Sequence, residues 1–213
     1  MKNVIFFDFD GTIVNCKDFQ IERLKTIMLN HNVDISKINF LELIGPPLVN
    51  TFEKYIKDED PKKVLLEYNQ TFSPNEIKNI YLFDGIKELL NNLKQIGYKI
   101  CIVSLQVLDV ISAQLKYLGI EQSIDSIFCD SPEKAYKSKT QIVREILDKK
   151  LFSKKEILVV GDTVNDVLSG KENGVDTVGV SWGYGQLKKQ DVTYLVHNTM
   201  QLFDLLKQLK SDA

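Results

Sequence analysis

Six short apolar runs punctuate the chain, at residues 4–7, 100–103, 127–129, 157–160, 177–180 and, more weakly, 194–196. Each is continuous rather than alternating. A strand with one wet face would show a period of two, so continuous runs predict strands buried on both faces, as in a parallel sheet. Amphipathic stretches lie between them. Ile86, Leu89, Leu90 and Leu93 share one helical face behind Asp84 and Gly85, and Gly97 closes that helix. Residues 139–147 carry Ile142, Val143, Ile146 and Leu147 at helical spacing. Residues 163–173 form another helical stretch, with Gly174 as its stop. The tail from Thr199 repeats Leu202, Phe203, Leu205, Leu206 and Leu209. Alternating β and α elements predict an α/β fold, a doubly wound parallel sheet.

One stretch breaks the alternation. Residues 15–80 show helical periodicity only, through Ile21, Leu24 and Met28, then Phe40, Leu41 and Ile44, then Val64, Leu65, Tyr68 and Phe72. Gly45, Pro46 and Pro47, and the segment 58–61, punctuate it. This predicts a small helical domain over 15–80, inserted after the first strand of a core made from 1–14 and 81–213.

Composition narrows the class. With 213 residues, 44% hydrophobic and 26% charged, the chain can bury a core without staples. Its formal net charge of −2 gives no global attraction to nucleic acid or acidic lipid. A small anionic substrate stays open, because a local site can be cationic. The cysteines, Cys16, Cys101 and Cys129, are odd in number and form no C-x-x-C pair, which argues against a disulfide scaffold or a thiolate zinc site. Cys101 and Cys129 read as small core residues. No apolar run approaches the roughly 20 residues of a membrane span, and the N-terminal run is too short for a signal sequence. The expectation is a soluble, cytoplasmic protein, monomeric or homodimeric, that binds neither membrane nor nucleic acid polymer.

The chemistry gathers at strand ends. The first strand stops at Asp8-Phe9-Asp10-Gly11-Thr12, the second at Ser104, and the fourth at Gly161-Asp162-Thr163-Val164-Asn165-Asp166. In a helix starting there, Asp162 and Asp166 lie one turn apart on one face. Lys139 opens the helix before the fourth strand. Doubly wound sheets collect function at the carboxyl ends of strands, beside the switch in strand order. Converging carboxylates repel, so a cation must hold them, and oxygen donors without His or Cys favour Mg²⁺. The blander readings are a solvated turn for the first pair, a strand-end cap for Ser104 and solvated lysines. Lys137 competes with Lys139, and helix-start position favours Lys139.

Taken together, D-F-D-G-T, the strand-end Ser104, Lys139 and G-D-T-V-N-D resemble the four motifs of the haloacid dehalogenase superfamily. The helical insert resembles the cap of its subfamily I, in the phosphoglycolate phosphatase-like and 5′-nucleotidase-like branch. The D-x-D form is similar to that of its phosphatases. The resemblance implies that Asp8 is the nucleophile forming an aspartyl-phosphate and Asp10 the general acid and base. It implies Mg²⁺ held by Asp8, Asp10 through its carbonyl, Asp162 and Asp166. Ser104, Lys139 and the backbone N–H groups at Phe9, Gly11 and Thr12 would hold the phosphoryl oxygens. The implied substrate is a small phosphorylated metabolite, phosphoglycolate-like or a nucleoside 5′-monophosphate. A phosphosugar mutase, a pyrophosphatase and a non-catalytic receiver-like phospho-acceptor are the alternatives.

Departures from the family pattern concentrate near the second motif, where Leu105 and Gln106 follow Ser104; Asn15-Cys16 follows the first. The run Trp182-Gly183-Tyr184-Gly185 reads as a glycine loop with packed aromatics. It also resembles a marker of the same branches, as does Gly45-Pro46-Pro47-Leu48. His31 and His197 read as lone surface histidines.

Overall fold

The computed structural model describes residues 2–130 and 137–211. In chain order, β1 (Val4–Phe7) leads to a two-residue strand β2 (Val14–Asn15). Helices α1 (Lys17–Asn30), α2 (Leu48–Tyr55) and α3 (Pro61–Gln70) follow, and β3 (Tyr81–Leu82) pairs antiparallel with β2. Then come α4 (Ile86–Gln95), β4 (Lys99–Val107), α5 (Leu108–Leu118), β5 (Ser126–Asp130) and α6 (Lys139–Asp148). The chain finishes with β6 (Ile157–Gly161), α7 (Val164–Lys171), β7 (Asp176–Val180), β8 (Tyr194–Val196) and α8 (Thr199–Ser211). Six of the strands form one sheet, ordered β5-β4-β1-β6-β7-β8 with every pairing parallel.

The continuous apolar runs follow from layers on both faces. Ile5, Phe7, Ile100, Ile102, Leu158 and Val160 face one cluster, closed by Leu89 and Leu90 of α4, Ile111 and Leu115 of α5, and Leu202 and Leu206 of α8. The alternate positions Val4, Phe6, Cys101, Val103, Ile157 and Val159 face a second cluster with Ile142, Val143 and Ile146 of α6. Neighbouring strand residues therefore serve opposite layers. The chain leaves β1 toward β4 and β5 on one side, then crosses to β6, β7 and β8 on the other. The carboxyl ends of β1, β4 and β6 meet at that switch.

Two elements differ from the sequence expectation. The second strand does not stop at Ser104; β4 runs to Val107, with a register irregularity between Ser104 and Val107. Leu105 and Val107 keep strand character while the bulge re-aims Ser104 and Gln106, as bulges beside functional sites do. Helix α5 occupies a segment assigned no element from the pattern, because its apolar residues run on directly from β4.

Helices α1–α3 carry an apolar cluster of their own. It contains Leu24, Ile27, Met28, Phe40, Leu43, Phe52, Val64 and Tyr68. Tyr184, from the loop after β7, packs against that cluster. His31 is not a lone surface residue. Its ring sits between Glu59 (Nδ1 to Oε1, 2.5 Å) and Glu67 (Nε2 to Oε2, 3.0 Å), tying the end of α1 to α3, and its side chain is 9% exposed. His197 is exposed and bonds Ser181.

Candidate active site at the carboxyl ends of the strands

Asp8 follows β1 directly, and its N–H donates to the Val160 carbonyl at 2.8 Å, continuing the β1–β6 ladder by one bond. This fixes the backbone from which its carboxylate projects. Asp162 follows β6, and Asp166 stands in the first turn of α7. Asp8, Asp162 and Asp166 are all buried, with one ligand atom from each lying within 4.8 Å of the others. Elements separated by about 150 residues of chain are thus brought to one point by strand order alone.

Lys139, the first residue of α6, reaches into this group. Its ammonium contacts Asp8 Oδ1 and lies 2.6 Å from Asp166 Oδ1. Ser138 caps α6 by accepting from the Gln141 N–H, which sets the helix start that aims Lys139. Lys137 also lines the cavity but pairs with Glu145 at 2.6 Å. Lys134, a neighbouring lysine, lies outside the described residues.

Asp166 has a second role: its Oδ2 accepts from the Thr163 N–H (2.9 Å) and hydroxyl (2.6 Å), a capping box at the start of α7. That leaves Oδ1 facing the cluster. Asp162 Oδ2 accepts from the N–H groups of Tyr184 (2.6 Å) and Gly185 (3.0 Å), and Thr12 reaches from its hydroxyl toward Asp8 Oδ2 (3.2 Å) and Asp162 Oδ1 (3.4 Å). The Trp182 indole donates to the Thr12 carbonyl at 3.0 Å. The 182–185 loop is therefore a cradle for Asp162 and not only a packed aromatic turn. Its glycines are required by close approach: a Cβ on Gly183 would strike the Gly11 carbonyl and the Asp162 side chain, and one on Gly185 the Asp162 carbonyl. Sequence reasoning missed this role because the donors are backbone groups. The available signal was two glycines just past a strand end in a parallel sheet.

Asp10 stands apart from the three carboxylates. Its Oδ1 accepts from the Cys16 thiol at 2.9 Å and its Oδ2 from the Gln106 side-chain amide at 3.0 Å. Gln106 also donates its backbone N–H to Ser104 Oγ at 3.1 Å. Gln106 thus links Ser104 to Asp10, a connection no motif announced. Phe9, Gly11 and Thr12 are not among the residues lining the cavity, and the Gly11 N–H is taken by the Val14 carbonyl at 2.9 Å. Phe9 has a fully buried side chain in the core.

The electrostatics follow from this crowding. Burial pushes the Asp8 carboxyl well up, Lys139 pulls it down, and Asp166 and Asp162 push it up further. Burial also raises Asp162, with Asp166 adding to it. Asp10 is raised by burial, with Cys16 and then Lys139 acting against it. Burial disfavours the charged Lys139, but Asp166 and Asp8 outweigh it and hold the ammonium charged. Three buried carboxylates against one ammonium leave an excess of negative charge in a place where charge is costly. A hard divalent cation balances that excess, and an all-oxygen donor set suits one. The residues present fit such an ion.

A cavity of about 390 Å³ opens over these groups. Asp8, Asp10, Ser104 and Lys139 line one end, and residues of α2, α3 and the segment before α2 line the other.

Comparison with known proteins places the chain in a family. The family model described as haloacid dehalogenase-like hydrolase matches residues 5–180. The chain belongs to that family, and it is a hydrolase. Among its relatives is pyrophosphatase PpaX of Halalkalibacterium halodurans, 24% identical over 96% of this chain and 96% of that one. PpaX of Bacillus mycoides is 28% identical over 97% and 98%. Among solved structures, a predicted phosphatase from Clostridium acetobutylicum superposes with a TM-score of 0.84 at 20% identity, covering 98% of this chain and 99% of that one. That last likeness concerns the fold.

Proposed function

We propose that the chain is a Mg²⁺-dependent phosphatase that hydrolyses a small phosphomonoester through an aspartyl-phosphate on Asp8. The observation that carries this reading is the meeting of Asp8, Asp162, Asp166 and Lys139 at one end of an open cavity. An Asp8 carboxylate oxygen attacks phosphorus and the P–O bond to the alcohol breaks. Asp10 gives its proton to the departing oxygen, then takes one from the water that cleaves the phospho-Asp8 bond and frees inorganic phosphate. Asp10 suits that exchange because it lines the cavity outside the carboxylate cluster, with both oxygens oriented by Cys16 and Gln106. Ser104 and Lys139 hold the phosphoryl oxygens.

The residues that would hold the ion are Asp8, Asp162, Asp166 and the Asp10 carbonyl. When bound, it neutralises the repulsion between carboxylate and phosphate. Residues 15–80 act as a cap over the cavity, excluding water in the first step and selecting the leaving group. Candidate substrates are phosphoglycolate-like compounds and nucleoside 5′-monophosphates. The PpaX relatives support a second reading, pyrophosphate hydrolysis by the same groups. No helix among the described residues is long and apolar enough to cross a membrane. The test is phosphate release from a phosphomonoester panel and pyrophosphate in Mg²⁺ buffer. Release that stops with EDTA and returns with excess Mg²⁺ is expected; release that persists unchanged in chelator contradicts the metal assignment.

A further inference from the structure

Asp8, Asp10, Ser104 and Lys139 occupy only one end of the cavity. The opposite end is walled by Leu43, Leu48, Val49 and Leu65, with Leu105 of β4 on the side nearest the phosphoryl site. All five are buried or half-buried. Among the described residues, the side chains with a polar group that the helical stretch adds to the lining are Gln20, Asn50, Lys62, Tyr68 and Asn69. Asn50 and Lys62 are exposed, Asn69 is half-buried, Tyr68 is buried beneath the Arg23 guanidinium, and Gln20 donates to the Cys16 sulfur. The volume corresponds to about a dozen waters at roughly 30 Å³ each. Inorganic phosphate leaving from pyrophosphate, or glycolate from its ester, would set a strongly hydrated anion against a wall of leucine and valine, which cannot replace the lost water.

From this geometry, and resting on the phosphoryl-transfer reading above, we propose that the preferred substrate is a phosphomonoester of an apolar alcohol. Its hydrocarbon body lies against Leu43, Leu48, Val49, Leu65 and Leu105, which narrows the candidates above by placing pyrophosphate and phosphoglycolate among the poorer substrates. Leu105, a departure from the family pattern, then has a purpose. It extends the apolar wall to the edge of the phosphoryl site.

The experiment compares kcat/KM for ethyl, butyl and hexyl phosphate, phosphoglycolate and pyrophosphate in Mg²⁺, with Asp8→Asn run on each. The alkyl esters share one leaving-group chemistry, so the trend reports burial alone. A fully buried methylene gives roughly fourfold. We expect a rise of at least about tenfold from ethyl to hexyl phosphate, with hexyl phosphate above both phosphoglycolate and pyrophosphate. Leu65→Asn and Leu105→Asn should each shrink the hexyl-to-ethyl ratio; the second covers the case in which the first fails to fold. A flat alkyl series, or pyrophosphate as the best substrate, with activity abolished in Asp8→Asn, overturns the apolar-alcohol assignment and leaves the phosphatase reading standing. No turnover of any compound, or activity that survives Asp8→Asn, overturns both.

Discussion

The two ends of the cavity are built on different principles. At the aspartate end, nearly every carboxylate oxygen has a named partner. Asp162 has the 182–185 loop, Asp166 its own helix start, Asp8 has Lys139 and Thr12, and Asp10 has Cys16 and Gln106. At the opposite end the contacts are apolar and non-directional, supplied by helices that lie outside the sheet. Charge in a buried site must be positioned to within a hydrogen bond, whereas hydrocarbon needs only shape and area. On the proposed reading, the comparison teaches a division of labour: strand ends set the reaction type and the inserted helices the leaving group.

If that division holds, changes at the aspartate end should lower kcat for every substrate alike. Asp8→Asn is expected to have the largest effect, a loss of about 10⁴-fold or more in single-turnover rate, because it removes the proposed nucleophile itself. Asp10→Asn should cost about 10²- to 10⁴-fold in kcat, least for esters whose leaving group needs no proton. A loss independent of leaving-group pKa would contradict the acid role. Gly185→Ala should reduce apparent Mg²⁺ affinity by about 10- to 100-fold, since its Cβ displaces the Asp162 carbonyl and loosens the cradle of that side chain. Metal titration followed by activity reads it, and an unchanged titration breaks the account of the loop.

The smallest effect probes the helical stretch without touching the aspartates. Burial opposes charge on His31, but Glu59 and Glu67 outweigh it and raise its pKa above the ordinary 6.5. A raised folded-state value contributes stability that is fully present below the unfolded value and is lost as pH rises through the folded value. Thermal melts of wild type and His31→Gln should therefore differ most below pH 6.5 and converge at alkaline pH. A gap that widens with rising pH contradicts the bridge.

How much of this could be read from the chain follows from the same contrast. The strands were legible because burial on both faces leaves an unbroken apolar run. The aspartates were legible because their spacing is short and their placement at strand ends is dictated by topology. The ribbon of β2 and β3 is too brief to show a period, and α5 merges with the apolar end of β4. The hold of the 182–185 loop on Asp162 is made by backbone N–H groups, which leave only glycines as a trace. The Gln106–Asp10 bond spans 96 residues and the two His31 pairs span 28 and 36, distances over which no pattern carries information. The apolar lining was visible as helical periodicity, but periodicity marks a buried face without saying whether a core or a ligand covers it.

The central claim is that Asp8 becomes covalently phosphorylated during turnover. Enzyme quenched in acid during steady-state hydrolysis, reduced with borohydride and mapped by peptide mass spectrometry, tests it most directly. The account predicts conversion of position 8 to homoserine, dependent on substrate and absent from Asp8→Asn. Active enzyme that yields no such product, or yields it at another aspartate, would contradict it.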